Sequence, residues 1–253
     1  MYLRRCTVSN WGDSLNIVLT ELISGEKPYG VGQGFKPPNN DPVFLVIGSI
    51  LQWAGSNDIV WGTGFISEAS RVKSKPAKVC AVRGPLSYQK LIGQGVDCPK
   101  IFGDPALLYP KFYKPAKIKK KYKLGIIPHY VDKRISTIDL FRNKSDILII
   151  NIQGPINQVV DDICSCEQVA SSCLHGIICA DAYGVPSIWI KFSDKVMGQG
   201  FKFRDYFMSV NRKDREPLVM NNSVSIKTIL DRFDKYSIDI DLDVLYNVCP
   251  FKK

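Results

Sequence analysis

Short apolar runs alternate with helix-like segments along most of this sequence, and this alternation constrains the fold more than any other feature. The runs that predict strands are residues 43–50, 59–61, 79–82, 123–128, 147–152, 169–172 and 185–190. Helices are predicted from Pro85 to Gly93, around 156–163 and from Leu174 to Tyr183, between residues that start and end helices. The pattern predicts an α/β fold with parallel sheets, whose ligands bind at the carboxyl ends of the strands.

A lysine-rich segment divides this pattern in two. Residues 111–123 (KFYKPAKIKKKYK) contain seven lysines and a proline with almost no hydrophobic periodicity, which is typical of a solvated linker. We therefore predict two Rossmann-like halves with a cleft between them. The first half spans residues 1–112, the linker 113–123, and the second half 124–253, which ends in a helical tail.

The composition is that of an ordinary globular protein of 253 residues, with 45% hydrophobic and 23% charged residues. The longest apolar stretch, residues 43–54, is too short to span a bilayer and is interrupted by Gly48, Ser49 and Gln52. No apolar segment follows the early basic residues as it does in a secretory signal. These features predict a cytoplasmic protein.

Cysteine spacing and net charge narrow the range of partners. The eight cysteines form no C-x-x-C pair, so we expect buried thiols, no disulfide framework and no bound metal or cofactor. The net charge of +10 favours acidic partners such as phosphorylated metabolites. The lysines would also allow peripheral contact with the inner face of the cytoplasmic membrane. No recognition motif accompanies them, so specific nucleic-acid binding is not expected.

The sequence contains two histidines, and each follows a predicted strand. His129 lies in GIIPHYVD, and His175 lies in the first turn of the helix predicted from Leu174. Free N–H groups and the helix dipole at such a turn favour an anion such as phosphate, and imidazole carries protons near neutral pH. His175 is therefore the first candidate for catalysis, although a capping or packing role fits the same position.

Eight motifs follow one another along the chain: NWGDSLN (10–16), GSILQWA (48–54), VWGTG (60–64), AVRGP (81–85), GDPALL (103–108), IIPH (126–129), SSCLHGIICADAYGVP (171–186) and FKFRDY (201–206). In this order they resemble the polysaccharide pyruvyl transferase family, most closely its short bacterial members of the xanthan ketal pyruvate transferase type. The resemblance implies phosphoenolpyruvate as co-substrate, a glycan or lipid-linked oligosaccharide acceptor in exopolysaccharide biosynthesis, release of phosphate, and a fold similar to type B glycosyltransferases. It departs at Cys173, where many relatives have arginine, and at Gln52, where xanthan-type members have histidine.

The chemistry of ketal formation assigns roles to residues in these motifs. We expect His175 to act as the general acid, and Asp13 to be either a base for the sugar hydroxyl or the N-cap of the following helix. The side chains expected to bind the pyruvyl donor are Arg83 as a bidentate clamp, Ser171, Ser172, Leu174, His129 and Lys202. Those expected to bind the acceptor are Asn10, Gln52, Trp53 and Thr63.

Two other functions fit the same sequence. A glycosyltransferase with a nucleotide-sugar donor would share the cleft and the anion site. A non-catalytic glycan-binding relative would keep the fold and lose the chemistry, because fold alone does not determine function.

Overall fold

A computed structural model describes residues 1–8, 10–116, 119–213, 216–234 and 236–253 of the chain. The strands are β1 (Tyr2–Arg4), β2 (Tyr29–Val31), β3 (Val43–Leu45), β4 (Asp58–Trp61), β5 (Lys78–Ala81), β6 (Tyr122–Ile127), β7 (Ile147–Ile149), β8 (Cys166–Ser171), β9 (Ser187–Lys191) and β10 (Leu218–Val219). The α-helices are α1 (Trp11–Ser24), α2 (Pro85–Ile92), α3 (Ile156–Cys164), α4 (Leu174–Ala182), α5 (Phe201–Ser209), α6 (Ile226–Leu230) and α7 (Leu242–Asn247).

The strands form two parallel sheets, which confirms the predicted α/β architecture of two halves. Over the described ranges, one sheet has the order β2-β1-β3-β4-β5 and the other has the order β7-β6-β8-β9-β10. Counted from the first strand of each half, both orders are 2-1-3-4-5, so the two halves share one doubly wound topology. In such sheets a ligand binds at the switch point, where connections leave to opposite sides of the first strand.

The switch points of the two sheets face each other. In the first half this point lies between the ends of β1 and β3, which continue into Asn10 and Ser49. In the second half it lies between the ends of β6 and β8, which continue into His129 and His175. All four residues line one cavity between the halves.

One continuous hydrophobic core joins the halves. The N–H group of Trp11, at the start of α1, donates to Ile152 O of the second half at 2.8 Å. The C-terminal segment then returns to the first sheet, where Leu245 O accepts from Trp61 Nε1 at 2.9 Å. The Phe251 ring packs edge-on against Trp61 with 5.4 Å between ring centroids. This packing holds the two switch points at a fixed distance.

Local chemistry explains where elements differ from the predicted ranges. The strand predicted over residues 43–50 ends at Leu45, because Gly48 has a φ of 118° and turns the chain away from the sheet. In the predicted linker, the Tyr113 hydroxyl donates to Asp161 of α3 at 2.8 Å, so this end is anchored. Lys117 and Ile118 of the linker lie outside the described residues. None of the helices in the described ranges is long and apolar enough to cross a membrane.

Candidate active site

The cavity between the two switch points has a volume of about 480 Å³. It receives residues from both halves and contains most of the side chains that the sequence predicted for the site. These are Asn10, Asp13, Gln52, Trp53, His129, Leu174, His175 and Lys202. The structure therefore brings together residues that are as far apart in sequence as Asn10 and Lys202.

The N-terminus of α1 forms one wall of this cleft. Asn10 is the N-cap residue, and its Oδ1 accepts from the N–H of Asp13 at 3.2 Å. The Asn10 amide nitrogen in turn donates to the Asp13 carboxylate. The prediction of Asp13 as the helix cap is wrong, because the helix begins at Trp11 and places Asp13 inside its first turn. The Asp13 carboxyl group is buried and free for another role.

The hydrogen bonds of His175 determine which ring nitrogen carries the proton. His175 is the second residue of α4, as predicted, and its Nδ1 lies 3.0 Å from Asn10 Oδ1. This oxygen already accepts from a backbone N–H, so it is an acceptor and Nδ1 must donate to it. The lone pair is then on Nε2, which is buried and has no partner in the part of the chain that the structure describes.

Burial shifts the pKa values of Asp13 and His175 in opposite directions. Burial, with Lys202 and Arg83 nearby, lowers the pKa of His175 to about 3. Burial also raises the pKa of Asp13 to about 7, and the hydrogen bond from Asn10 only partly opposes this. Near neutral pH, His175 is therefore neutral and Asp13 is divided between its two protonation states. Titratable pairs with opposed shifts are typical of acid–base sites.

Gly12 provides the space in which the His175 ring lies. A Cβ atom on Gly12 would approach the ring carbon Cγ to 2.3 Å. We expect Gly12→Ala to displace this ring, to lower the free energy of unfolding by about 1–3 kcal/mol, and to remove most activity. Gly32→Ala is the matched control in the same half, since no atom lies within 4 Å of that Cβ position. Thermal unfolding and phosphate release are the measurements, and full activity of Gly12→Ala would contradict the placement of the ring.

Arg83 does not line the cleft, and the clamp predicted for it is not available. Its side chain is fully buried beneath the cavity, where Nε donates to Asp205 Oδ2 at 3.1 Å. Nη2 donates to Phe65 O at 2.7 Å, and Nη1 donates to Ser49 Oγ at 2.6 Å. The guanidinium group is thus occupied by protein atoms, because Asp205 on α5 needs a buried counter-charge.

Three other side chains predicted to bind substrate form hydrogen bonds with the backbone and do not line the cleft. Ser171 Oγ donates to Cys173 O at 2.8 Å and tightens the turn that leads into α4. Ser172 Oγ accepts from the His129 N–H at 2.8 Å and links the ends of β8 and β6. Thr63 is fully buried, and its Oγ1 donates to Gly48 O at 2.8 Å.

Of the titratable side chains predicted to bind the donor, Lys202 and His129 line the cleft. Lys202, on α5, is largely buried and has no acidic partner among the described residues, and burial lowers its pKa. Burial is the main cause that lowers the pKa of His129 to about 4, and the charge of Lys202 lowers it further. The cavity therefore offers a cation that is not neutralised by a neighbouring carboxylate in hydrogen-bond contact.

Cys173, where the sequence departs from the motif that it resembles, is buried. It is the N-cap residue of α4, where its carbonyl oxygen accepts from the N–H groups of Gly176 at 3.1 Å and Ile177 at 3.4 Å and its side chain makes no capping hydrogen bond. It also lies close enough to Lys202 for the two groups to shift each other's pKa values. The first turn of α4 therefore has no side-chain cap among the described residues.

Sequence reasoning missed several polar or titratable side chains of the cleft. Ser49 and Tyr130 follow β3 and β6, Cys6 follows β1, and Lys195 follows β9. Only their position in the sequence could have indicated them, because each comes soon after the carboxyl end of a strand. Position alone does not distinguish them from the other loop residues of these strand ends.

A protein-family model matches more than half of this chain. The family model described as polysaccharide pyruvyl transferase matches residues 22–194. The chain belongs to the polysaccharide pyruvyl transferase family. The matched range contains Gln52, His129 and His175, whereas Asn10 and Lys202 lie outside it. Part of the cleft in this chain is therefore built from segments that flank the matched region.

Two curated relatives match most of this chain. An uncharacterized protein of Acanthamoeba polyphaga mimivirus is 30% identical over 249 residues, which cover 94% of this chain and 84% of that protein. The succinoglycan biosynthesis protein ExoV of Rhizobium meliloti is 25% identical over 227 residues, which cover 86% of this chain and 68% of that protein. No solved structure gives a significant match.

Proposed function

We propose that this chain transfers the enolpyruvyl group of phosphoenolpyruvate to two hydroxyl groups of a sugar in a glycan repeat unit. The products are a pyruvate ketal and inorganic phosphate. The observation that carries the proposal is the pair Asp13 and His175, which Asn10 joins across the cleft with opposed pKa shifts. An enol phosphate needs one group that gives a proton and another that accepts one.

In this proposal the two groups exchange the roles that the sequence predicted. The protonated Asp13 carboxyl gives its proton to the methylene carbon of phosphoenolpyruvate, and the first sugar hydroxyl attacks the adjacent carbon and loses its proton to His175 Nε2. The bond from this carbon to the phosphate oxygen then breaks, and the imidazolium returns its proton to the departing phosphate. The second hydroxyl closes the ketal and gives its proton to the Asp13 carboxylate, which restores both groups.

The carboxylate and phosphate of the pyruvyl donor require positive charge, and Lys202 is the side chain proposed to supply it directly. Its ammonium group is buried in the cleft, where an ion pair is screened less than in water. Gln52 and Trp53, on the first-half side of the cavity, are proposed to contact the sugar. An aromatic ring beside an amide matches the apolar faces and hydroxyl groups of a sugar ring.

Incubation with phosphoenolpyruvate and candidate glycans tests the function. We expect mass spectrometry to show the acceptor with the added ketal, and phosphate to appear in equal amount. Phosphoenolpyruvate, but not nucleotide sugars, is expected to raise the thermal unfolding temperature. Protection by a nucleotide sugar alone, with no phosphate release, would contradict the proposal and favour a glycosyltransferase.

The proposed role of Asp13 predicts a pH dependence. The pKa of about 7 leaves its carboxyl protonated below that pH and ionised above it. We therefore expect kcat/KM for phosphoenolpyruvate to fall as pH rises through about 7, since this ratio reports the pKa values of the free enzyme. In Asp13→Asn, the rate is expected to be about 10²-fold lower, and this decrease with pH should disappear. The substrate phosphate titrates equally with both proteins, so their difference isolates Asp13. An unchanged profile in Asp13→Asn would exclude the role.

A further inference from the structure

Within the described residues, Ser49 is the one cleft-lining residue with which the buried Arg83 guanidinium forms a hydrogen bond. Arg83 Nη1 donates to Ser49 Oγ at 2.6 Å, and Ser49 itself is half-buried at the cavity wall. A hydroxyl oxygen that accepts from a charged group is polarised, which makes its own O–H a stronger donor. The hydroxyl hydrogen has no acceptor among the residues that the structure describes, so this donor is available to a ligand.

The backbone around Ser49 supplies a second donor. Gly48 O is held by Thr63 Oγ1 at 2.8 Å and by the N–H of Gly64 at 3.1 Å. In a trans peptide the N–H points opposite to the C=O, so the Ser49 N–H points away from these buried partners. Within the described ranges it has no acceptor. The φ of 118° at Gly48 fixes this orientation and favours glycine at that position.

Charge in the surrounding cleft is compatible with an anion at this point. Arg83 lies directly behind Ser49, and Lys202 lines the same cavity. A Cβ atom on Gly48 would lie 3.6 Å from Asp13 Oδ1, so the Asp13 carboxyl is a close neighbour. Its raised pKa means that it is protonated in part of the molecules near neutral pH and then repels an anion less.

We propose that Ser49 binds an oxyanion of the pyruvyl donor, its carboxylate or its phosphate, through the hydroxyl group that Arg83 polarises and through its own N–H. Arg83 thereby acts on the substrate through Ser49 without touching it. This inference rests on the proposed function, because phosphoenolpyruvate supplies the anion. The first half of the chain thereby contributes Ser49 to donor binding, and the second half contributes Lys202 and His175.

Calorimetric titration with phosphoenolpyruvate, pyruvate and inorganic phosphate, without an acceptor, tests this contact. We expect Ser49→Ala to bind phosphoenolpyruvate about tenfold more weakly or worse, and Ser49→Thr, which keeps the hydroxyl group, to stay close to the wild type. The exposed Ser56→Ala is the matched control outside the cavity. Weaker binding of pyruvate in Ser49→Ala identifies the carboxylate as the bound group, and weaker binding of phosphate identifies the phosphate.

Thermal unfolding checks that each variant is folded. If Ser49→Ala does not fold, Ser49→Cys keeps the shape with a weak donor and is expected to show the same loss of affinity. Equal affinity of the wild type and the folded variant for all three anions overturns the role of Ser49 and leaves the proposed function intact. A wild-type protein that binds pyruvate or phosphate but releases no phosphate from phosphoenolpyruvate when the candidate glycans are added contradicts the proposed function instead. Absence of binding by any of the three anions overturns both.

Discussion

Replacement of His175 by alanine is expected to lower phosphate release from phosphoenolpyruvate by about 10²- to 10⁴-fold, the contribution typical of a positioned acid or base. The lone pair on Nε2 has no partner among the described residues, and the variant removes this proton acceptor from the cleft. Among the described residues, the His175 ring forms one hydrogen bond to the first half, with Asn10, so we expect the variant to stay folded. Circular dichroism and thermal unfolding measure the fold, and a phosphate assay measures the reaction.

Added imidazole provides the control for this experiment. A small base that enters the vacated space is expected to restore part of the rate in His175→Ala and to leave the wild type unchanged. A folded variant that retains more than a few per cent of the activity would show that His175 does not carry the proton transfer.

Replacement of Arg83 by methionine is expected to lower the free energy of unfolding by about 3–5 kcal/mol, because it leaves the buried Asp205 carboxylate without its counter-charge. Both side chains of this ion pair are fully buried, and Arg83 Nη2 lies 3.0 Å from Asp205 Oδ2. The carboxylate also accepts from Ser87 Oγ at 2.7 Å, but this neutral donor does not replace the charge that the substitution removes. Chemical denaturation of the wild type and the variant measures the difference.

A second substitution separates the structural role of Arg83 from direct substrate binding. We expect Asp205→Leu, added to Arg83→Met, to recover part of the lost stability, since it removes the uncompensated charge. If Arg83→Met alone unfolds like the wild type and only binds phosphoenolpyruvate more weakly, the direct clamp predicted from the sequence would be correct.

Much of the local structure follows from residue order, because short-range chemistry determines it. Pro85 begins α2 at a favoured first position, and α4 begins at Leu174 as the apolar spacing predicted. The position of His175 in the first turn of α4 was correct for the same reason. Asp13 was ambiguous, since a carboxyl at a helix start fits both a cap and a base until Asn10 is seen to occupy the cap.

The two halves share a strand order that the amino-acid sequence does not reveal. We find no internal repeat in the amino-acid sequence, yet both sheets have the order 2-1-3-4-5 over the described ranges. Parallel strand order depends on backbone pairing and on the hand of the connections, and many apolar sequences satisfy both. The shared strand order of the two halves is therefore a property of the folded chain.

The role of the Arg83 side chain likewise could not be predicted from the sequence. An arginine at the end of β5 fits an anion clamp as well as a buried anchor, and the choice depends on Asp205, which lies 122 residues later. The sequence by itself determined the α/β class, the strand-end positions of the candidate residues and the family. Only the tertiary structure decided which nitrogen of His175 carries the proton and whether Arg83 meets substrate or protein. Those outcomes depend on burial and on partners distant in sequence, which local spacing does not encode.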